Sequence, residues 1–369
     1  MVHVQHIVRQ FYPAIGGLED AVSNLTVELA RQGVDGSVIT LDRTFGDLKQ
    51  ELRSSERYRG VPVVRIPYSG SNRYPIAPSV LQHLSGADIV HVHGIDFFFD
   101  FLALTRFIHK KPLVASTHGG FFHTNFASQA KRIFFQTATR ASARGYKRIF
   151  GSSESDSAMF RRIAPRSTVT IENGVNIDKW RDAASHKLVP TMLFIGRFSV
   201  NKNVPALISL IAALNCDWKL IIAGQTSDFS AEDLRAEALQ KGVANRVDVV
   251  TGADDAALRS LVGKASYIVS ASRYEGFGLS VVEGMSAGLV PILSNIAPFQ
   301  RLVAKSGCGL IVDIDDLSSA ALALQAWHDA SATGARQASM SAVGVYSWTG
   351  VAAEFAAHYH AVLAARSAT

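Results

Sequence analysis

The sequence predicts an α/β protein built from two doubly wound, Rossmann-like domains that face each other across a cleft. Short apolar runs rich in β-branched residues alternate with helical stretches, which is typical of parallel sheets with crossover helices. The chain has 369 residues, more than a single core usually holds. The segment 173–190 has weak periodicity and several turn residues, so we expect the two domains to meet there.

The first half of the chain is expected to form a sheet with helices between its strands. Strands are predicted over residues 2–8, 36–41, 61–66, 89–92, 113–117, 148–152 and 168–171. The main helices are predicted over residues 18–32, 97–109 and 126–145. Strands separated by helices run in the same direction, so this sheet should be largely parallel.

The second half repeats this architecture without repeating the sequence. Strands are predicted over residues 191–196, 218–223, 246–250, 267–270 and 290–293, and helices over residues 204–214, 231–241, 256–264 and 279–287. The string "DID" follows a further strand, and Asp315 or Asp316 is expected to cap the next helix. Ligands of such sheets bind beyond the carboxyl ends of the strands, so functional side chains are expected in the loops that follow strands.

Composition limits the class of protein. Hydrophobic residues make up 48% of the chain and charged residues 18%, as in a soluble globular protein, and no apolar run reaches the ~18–20 residues that span a bilayer. The N-terminus "MVHVQHIVRQFYP" reads as a first strand and not as a signal peptide. The only two cysteines are Cys216 and Cys308, so we expect a reducing, cytoplasmic environment.

Positive charge is concentrated in one stretch of the chain. The net charge is +6, yet residues 101–150 contain nine cations and no Asp or Glu. These cations are Arg106, Lys110, Lys111, Lys131, Arg132, Arg140, Arg144, Lys147 and Arg148. Such a field attracts anions: nucleic acid, anionic lipid and a phosphorylated substrate are all candidates.

Phenylalanine runs at 96–101 and 119–123 flank this basic region and suggest a peripheral contact with an anionic membrane through residues 131–148. The spacing of Arg140, Arg144 and Arg148 predicts that they share one helix face. No nucleic-acid-binding motif is recognisable, so we expect no nucleic acid partner.

The stretch "RYEGFGLSVVEGMSAGLVPI" places two carboxylates, Glu275 and Glu283, with seven residues between them. The loop "RYEGFG" follows a predicted strand and opens a predicted helix, so its amides and the helix dipole should bind an anion. Gly276 and Gly278 permit a close approach of the backbone. A carboxylate on each side of a diphosphate suits a nucleotide sugar, with the ribose at Glu283 and the hexose at Glu275.

Two cations follow another predicted strand, in "FIGRFSVNKN". Arg197 can hold a phosphate through two N–H groups, and Lys202 adds a compact charge. The dipole of the following helix disfavours cations at its N-terminus, so we expect an anion to lie between Arg197 and Lys202. In "YPAIGGLED", Gly16 and Gly17 let the backbone approach a phosphate or sugar, although a tight turn explains them equally well.

Histidines end two predicted strands of the first domain, in "DIVHVHG" and "VASTHGGFFHT". His118 stands at a strand end before two glycines, where its imidazole can hydrogen-bond a hexose hydroxyl. His91 is expected to be a buried strand residue, and His93 an intermediate case. A metal site formed by His91, His93, His118 and His123 has no accompanying carboxylate, and we expect none.

The ordered set "GGLE", "HVHG", "NGVN", "GRFSVNKN" and "EGFGLSVVE" resembles the retaining glycosyltransferases of family 4, which have the GT-B fold. The resemblance covers essentially the whole chain. The string "HGIDFFFDFLA…STHGGFFHT" resembles a bacterial subgroup that transfers mannose from GDP-mannose to cellobiosyl-diphosphopolyprenol in xanthan- or acetan-type polysaccharide assembly.

The resemblance implies a role for each residue of the motifs. Glu283 would bind the ribose. The donor hexose would be bound by Glu275 and by the backbone amides of Gly276, Phe277, Gly278 and Leu279. Arg197 and Lys202 would bind the diphosphate. Gly16 and Gly17 would line the phosphate side of the first domain, and His118 would contact the transferred sugar. It implies no metal and no cofactor, a lipid-linked acceptor, and a site of action on the cytoplasmic face of the membrane. The expected domains are residues 1–172 on the acceptor side, with the last helix 350–369 packing back on them, and residues 173–349 for the nucleotide sugar.

Three alternatives stay open. Another family 4 transferase would use a different nucleotide sugar. A sugar-nucleotide epimerase would need carboxylates for proton abstraction, which the motifs do not supply. A nucleic-acid-binding protein would leave Arg197, Lys202 and the two glutamates unexplained.

Overall fold

The computed structural model describes residues 1–14, 16–48, 50–72, 74–118, 133–330 and 334–367. The chain forms two compact units. Unit 1 contains Met1–Gly174 and Trp348–Thr369, and unit 2 contains Val175–Ser347. The chain therefore leaves unit 1 after Gly174 and returns to it at Trp348.

The strands of unit 1 form an eight-stranded sheet and a small two-stranded one. Their bounds are β1 Val2–Val8, β2 Val34–Leu41, β3 Ser55–Tyr58, β4 Val61–Ile66, β5 Ser69–Ser71, β6 Tyr74–Ile76, β7 Ile89–His93, β8 Leu113–Ser116, β9 Tyr146–Gly151 and β10 Thr168–Thr170. The large sheet has the order β10-β9-β8-β7-β1-β2-β4-β3. All its pairs are parallel except β3 with β4, an antiparallel hairpin at one edge.

The strands of unit 2 form a six-stranded, fully parallel sheet in the order β13-β12-β11-β14-β15-β16. Their bounds are β11 Thr191–Phe198, β12 Lys219–Thr226, β13 Val247–Thr251, β14 Tyr267–Ser270, β15 Val290–Ser294 and β16 Leu310–Val312. In this order β11 and β14 are neighbours, so the loops that follow them open at the same edge of the sheet.

Helices connect the strands in both units. Their bounds are α1 Gly17–Arg31, α2 Phe97–Leu104, α3 Arg106–His109, α4 Arg140–Ala143, α5 Glu154–Arg161, α6 Val204–Ala213, α7 Ala231–Gln240, α8 Asp255–Val262, α9 Leu279–Ala287, α10 Ala297–Ser306, α11 Leu317–Ala330, α12 Ala335–Ala342 and α13 Trp348–Ser367. Among the described residues, no helix is both long enough and apolar enough to cross a membrane.

The sheet of unit 1 is covered on both faces, as a parallel sheet requires. Ile7, Val90 and Val92 pack on one face with residues of α2. On the other face, α13 buries Tyr359 against a cluster that includes Leu25 of α1. In unit 2 the two faces of the sheet likewise carry separate apolar clusters.

The prediction of an α/β protein with parallel sheets is confirmed, and β1, β4, β14 and α9 have the predicted bounds. The helix predicted over 97–109 is divided at Thr105, whose hydroxyl donates a 2.7 Å hydrogen bond to the carbonyl of Phe101. The edge strand β3 was not predicted, because its sequence is mostly polar. Asp316 caps α11, since its carboxylate accepts a hydrogen bond from the amide of Ser319 at 3.1 Å.

Two predictions about the basic region are wrong. Arg140 opens α4 and Arg144 ends it, but Arg148 lies in β9, because the chain turns at Gly145 and becomes extended. The three arginines therefore do not share a helix face. Phenylalanines 97, 98 and 99 are buried core residues, so they form no interfacial surface. Residues 119–132, which include the second phenylalanine run, His123, Lys131 and Arg132, lie outside the described part of the chain.

Candidate functional site

The loop after β11 positions one predicted cation beside the end of its own strand. The chain forms a 3₁₀ turn over Val200–Lys202, and Asn203 then takes a left-handed conformation (φ 50°) that starts α6. A Cβ on Gly196 would lie 3.8 Å from Cε of Lys202, so the lysine stem runs back over the bare backbone of β11. The ammonium group is thereby held at the carboxyl edge of the sheet.

The Lys202 ammonium forms an ion pair with Oε1 of Glu275, from the loop that follows the neighbouring strand β14. The hydroxyl of Ser272 donates a second hydrogen bond to the same oxygen, at 2.8 Å. The two side chains of the ion pair are only 21% and 13% exposed. Oε2 of Glu275 has no partner among the described residues, so it is free to accept a hydrogen bond from a ligand.

Serines hold this carboxylate loop in place. The hydroxyl oxygens of Ser270 and Ser272 lie 2.9 Å apart, and both side chains are buried. Ser294, at the end of β15, donates a 2.6 Å hydrogen bond to the carbonyl of Ser272. Three adjacent strand ends thus fix the position of Glu275. These serines were not predicted from the sequence, although their place at the ends of apolar runs was a usable signal.

Arg197 lies on β11, one residue before the strand ends, and its side chain is exposed. Within the described part of the chain, its guanidinium has no hydrogen-bond or ion-pair partner. Its five N–H donors are therefore available to an anion in solution.

The start of α9 offers backbone donors. Gly278 precedes the helix with φ 91°, and no side chain caps its first amides. The amides of Gly276, Phe277, Gly278 and Leu279 have no acceptor among the described residues, whereas those of Val281 and Val282 bond to the carbonyl of Gly278. Unpaired amides at a helix N-terminus form a site for an anion.

Only glycine fits at position 278. The positive φ disfavours any side chain, and a Cβ there would lie 2.8 Å from Cε1 of Phe299. The ring of Phe277 packs edge-on against Tyr346, with ring centroids 5.1 Å apart, which anchors the loop. The conformation that exposes these amides is thus fixed by packing on both sides.

Glu283 lies one turn into α9 and is half-buried. Burial raises the pKa of its carboxyl above the ordinary value, Lys179 opposes the rise and Asp255 adds to it. Its carboxylate accepts no hydrogen bond from any described residue. A carboxylate that is desolvated and unpaired gains most from a ligand that donates hydrogen bonds to it.

Gly16 and Gly17 lie in unit 1, at the start of α1. A Cβ on Gly17 would meet no atom within 4 Å, and one on Gly16 would meet only the flexible end of Glu19. Packing within the described residues therefore does not require glycine at position 17, and the bare backbone there leaves room for a ligand.

His118 follows β8 with φ 49°, a left-handed conformation that is rare outside glycine. Its Nε2 lies 2.9 Å from Nδ1 of His93, and Nε2 of His93 lies 2.9 Å from Nδ1 of His6. Burial lowers the pKa of His118 to about 4 and that of His6 to about 3, and it holds that of His93 well below its usual value. All three imidazoles are therefore neutral at pH 7.

His91 is fully buried, as predicted, and hydrogen-bonds to Tyr359 (2.7 Å) and Ser116 (2.8 Å). Ligand nitrogens of His6, His91 and His93 lie within 4.8 Å of one another. Both nitrogens of His91 and His93 already take part in hydrogen bonds, so a metal would have to break them. His6 was not predicted as a site residue, although it shares a strand face with Val4 and Val8 and lies on the strand next to "HVH" in the sheet.

Comparison with known proteins gives matches over both units. Residues 15–179 match the model of Glycosyltransferase Family 4, and residues 176–339 match that of Glycosyl transferases group 1. The chain is 46% identical over 367 residues to a GDP-mannose:cellobiosyl-diphosphopolyprenol alpha-mannosyltransferase of Komagataeibacter xylinus, covering 98% of this chain and 93% of that protein. It is 45% identical over 370 residues to the protein of the same name from Xanthomonas campestris, covering 98% and 97%.

A solved glycosyltransferase structure shares the two-domain α/β fold of this chain. A glycosyltransferase from Rickettsia africae superposes with a TM-score of 0.74 at 17% identity, covering 98% of each chain. At this identity the likeness concerns the fold alone.

Proposed function

The chain belongs to glycosyltransferase family 4, and on that premise we propose that it transfers mannose from GDP-mannose to a lipid-linked oligosaccharide on diphosphopolyprenol, as a step in bacterial exopolysaccharide synthesis. The observation that carries this proposal is the 46% identity, over 98% of the chain, to a mannosyltransferase of that specificity. The transfer retains the configuration at the anomeric carbon.

Unit 2 binds the nucleotide sugar in this proposal. The half-buried, unpaired carboxylate of Glu283 accepts hydrogen bonds from the two ribose hydroxyls. The free guanidinium of Arg197, the Lys202 ammonium and the unpaired amides before α9 hold the diphosphate. The free Oε2 of Glu275 accepts hydrogen bonds from hydroxyls of the mannose.

The chemistry is a displacement on one face of the sugar. The bond from the anomeric carbon to the diphosphate oxygen breaks, and a bond from the acceptor hydroxyl oxygen to that carbon forms on the same face. The hydroxyl proton goes to a phosphate oxygen of the leaving GDP. Negative charge grows on the diphosphate as the bond breaks, so Lys202 and Arg197 stabilise the transition state more than the bound donor.

Unit 1 supplies the remaining contacts. His118 contacts the transferred sugar, and the bare backbone of Gly16 and Gly17 lines the phosphate side. Two cations and a row of amides supply the charge stabilisation, so we propose that the reaction needs no metal ion and no cofactor.

The product of the reaction tests this function. Purified protein is incubated with radiolabelled GDP-mannose, cellobiosyl-diphosphopolyprenol and EDTA, and the lipid fraction is analysed. We expect a labelled trisaccharide lipid that α-mannosidase cleaves. Faster transfer from another nucleotide sugar would indicate a different family 4 transferase, and an altered nucleotide sugar without a lipid product would indicate an epimerase. Loss of activity in EDTA would contradict metal independence.

We also propose that unit 1 acts on the inner face of the cell membrane, where a polyprenol acceptor resides. Leu104, Phe107 and Ile108, at the end of α2 and in α3, are 70–75% exposed, and we call them the apolar ridge. Exposed cations lie beside it, since Cζ of Arg106 is 4.2 Å from the ring centre of Phe107 and Lys110 ends α3. Apolar side chains with cations around them suit an anionic bilayer surface.

Vesicle sedimentation checks the membrane proposal. Phe107→Ser combined with Ile108→Ser is expected to reduce binding to vesicles rich in phosphatidylglycerol on the order of tenfold, because the variant loses apolar area that would enter the lipid. The matched control is Leu239→Ser, a leucine that is 72% exposed on α7 of unit 2 and should not affect sedimentation. Equal sedimentation of the double variant and the parent protein would remove this proposal.

A further inference from the structure

A line of three hydrogen-bonded histidines runs through the sheet of unit 1. His6 lies in the middle of β1, His93 at the end of the neighbouring strand β7, and His118 just beyond β8. The two N···N distances are both 2.9 Å. One end of the line is fully buried at His6, and the other ends at His118 beyond the carboxyl edge of the sheet.

The protons on this line can be counted. Three neutral imidazoles carry three protons on six nitrogens. Each of the two hydrogen bonds uses one proton, because one nitrogen must donate and the other must accept. The third proton therefore occupies one end of the line, either Nε2 of His6 or Nδ1 of His118.

The surroundings of His6 disfavour a proton there. Its Nε2 is buried and has no partner among the described residues. The nearby backbone is that of Gly36, where a Cβ would lie 3.4 Å from this nitrogen and 3.0 Å from the methyl carbon of Thr26. The hydroxyl of Thr26 already donates to the carbonyl of Val22 at 2.7 Å. Buried N–H groups without an acceptor are rarer in proteins than acceptors that are under-satisfied.

The surroundings of His118 differ. Its Nδ1 is likewise buried and lacks a partner among the described residues, but the residue as a whole is half-buried and lies just beyond a strand end, where parallel sheets bind ligands. His118 therefore lies where a bound ligand can bring an oxygen to this N–H, whereas His6 lies within β1 and is fully buried.

We propose that His6 and His93 act as positioning residues that fix His118 as the neutral tautomer with its proton on Nδ1, so that it donates a hydrogen bond to a substrate oxygen. His6 donates from Nδ1 to Nε2 of His93, and His93 donates from Nδ1 to Nε2 of His118. His118 can then bind a sugar hydroxyl as a donor, and it cannot take the proton of the acceptor hydroxyl on Nδ1. Only the identity of the substrate oxygen rests on the proposed function; the tautomer does not.

Long-range ¹H–¹⁵N correlation spectra of the full chain labelled with ¹⁵N-histidine measure the tautomer directly, without substrate. The chain has 12 histidines, and the signals that disappear in His118→Asn identify this ring. We expect a protonated Nδ1 and an unprotonated Nε2 for His118 at neutral pH in EDTA. An Nε2-protonated His118 in the unmodified protein would overturn the proposal, whatever the activity assays show.

Variants of His6 test whether the line sets the tautomer. His6→Leu removes the buried donor, so the Nε2-protonated form of His118 should become detectable. His6→Asn places an amide nitrogen near the position of Nδ1, so it should restore the Nδ1-protonated form. His91→Asn is the control, because His91 is as buried as His6 but bonds to Tyr359 and Ser116 outside the line. A His6→Leu protein that keeps His118 wholly Nδ1-protonated would contradict the role of His6, and if that variant does not fold, the spectrum of the unmodified protein decides.

Discussion

Lys202→Met is expected to lower kcat about 10³-fold, because in the proposed mechanism this cation stabilises charge that develops on the leaving diphosphate only in the transition state. The same change removes the ion-pair partner of Glu275, so the carboxylate that we propose to hold the sugar also loses its anchor. Methionine keeps most of the side-chain stem that lies over Gly196, so the fold should survive. Initial rates at saturating donor, with circular dichroism as a check on folding, measure the effect. Arg197→Ala should cause a loss of similar order.

The control for Lys202 is Lys241→Met. Lys241 is a lysine of unit 2 whose ammonium lies 3.8 Å from Glu237 on the surface. It should leave turnover unchanged, since exposed pairs of this kind contribute little. A Lys202→Met protein that is folded and keeps more than a tenth of the parent turnover would refute the role assigned to the lysine.

Glu275→Gln is expected to lower kcat/KM about 10²-fold while the affinity for free GDP stays nearly unchanged, since a hydrogen bond to a charged group contributes about 1.5–3 kcal/mol. Glutamine preserves the shape of the side chain but removes the charge that pairs with Lys202 and that we propose to accept hydrogen bonds from the mannose. Calorimetric titration with GDP, alongside transfer assays, separates the two quantities.

Glu283→Gln should give the reverse pattern. This carboxylate is assigned to the ribose, so its removal should weaken GDP binding while turnover at saturating donor stays close to that of the parent protein. Glu232→Gln, at an exposed surface position of α7, is the control for both glutamates. Equal losses of GDP affinity in Glu275→Gln and Glu283→Gln would show that the two carboxylates do not divide the donor between sugar and nucleotide.

The fold could be predicted from local sequence because its strands are short, apolar and separated by helices. Strand β14 and helix α9 have the predicted bounds, since a buried run ends at Ser270 and glycines stand at both ends of the helix. Arg148 shows where local reasoning stops. A spacing of four residues predicts one helix face only while the helix continues, and here Gly145 ends it.

The residues that we propose for the donor site could be named from sequence, but their contacts with one another could not. The ion pair between Lys202 and Glu275 joins residues 73 positions apart, and it exists because β11 lies next to β14 in the sheet. Strand order is a property of the whole sheet and not of any segment. The same reason hid His6, whose partner His93 lies 87 positions away on a neighbouring strand.

The return of the chain to unit 1 at Trp348 makes unit 2 an insertion within another domain. A Cβ on Gly174 would lie 2.3 Å from Cδ2 of Trp348, so the two ends of the interruption are adjacent in space. Val175 and Ser347 likewise form a bridge at the two ends of the inserted part. A short glycine linker from Gly174 to Trp348 would therefore close unit 1 without the insertion. Fluorophores attached to the two chain termini would both lie on unit 1. A fluorophore pair meant to detect motion between the two units needs one label within residues 175–347.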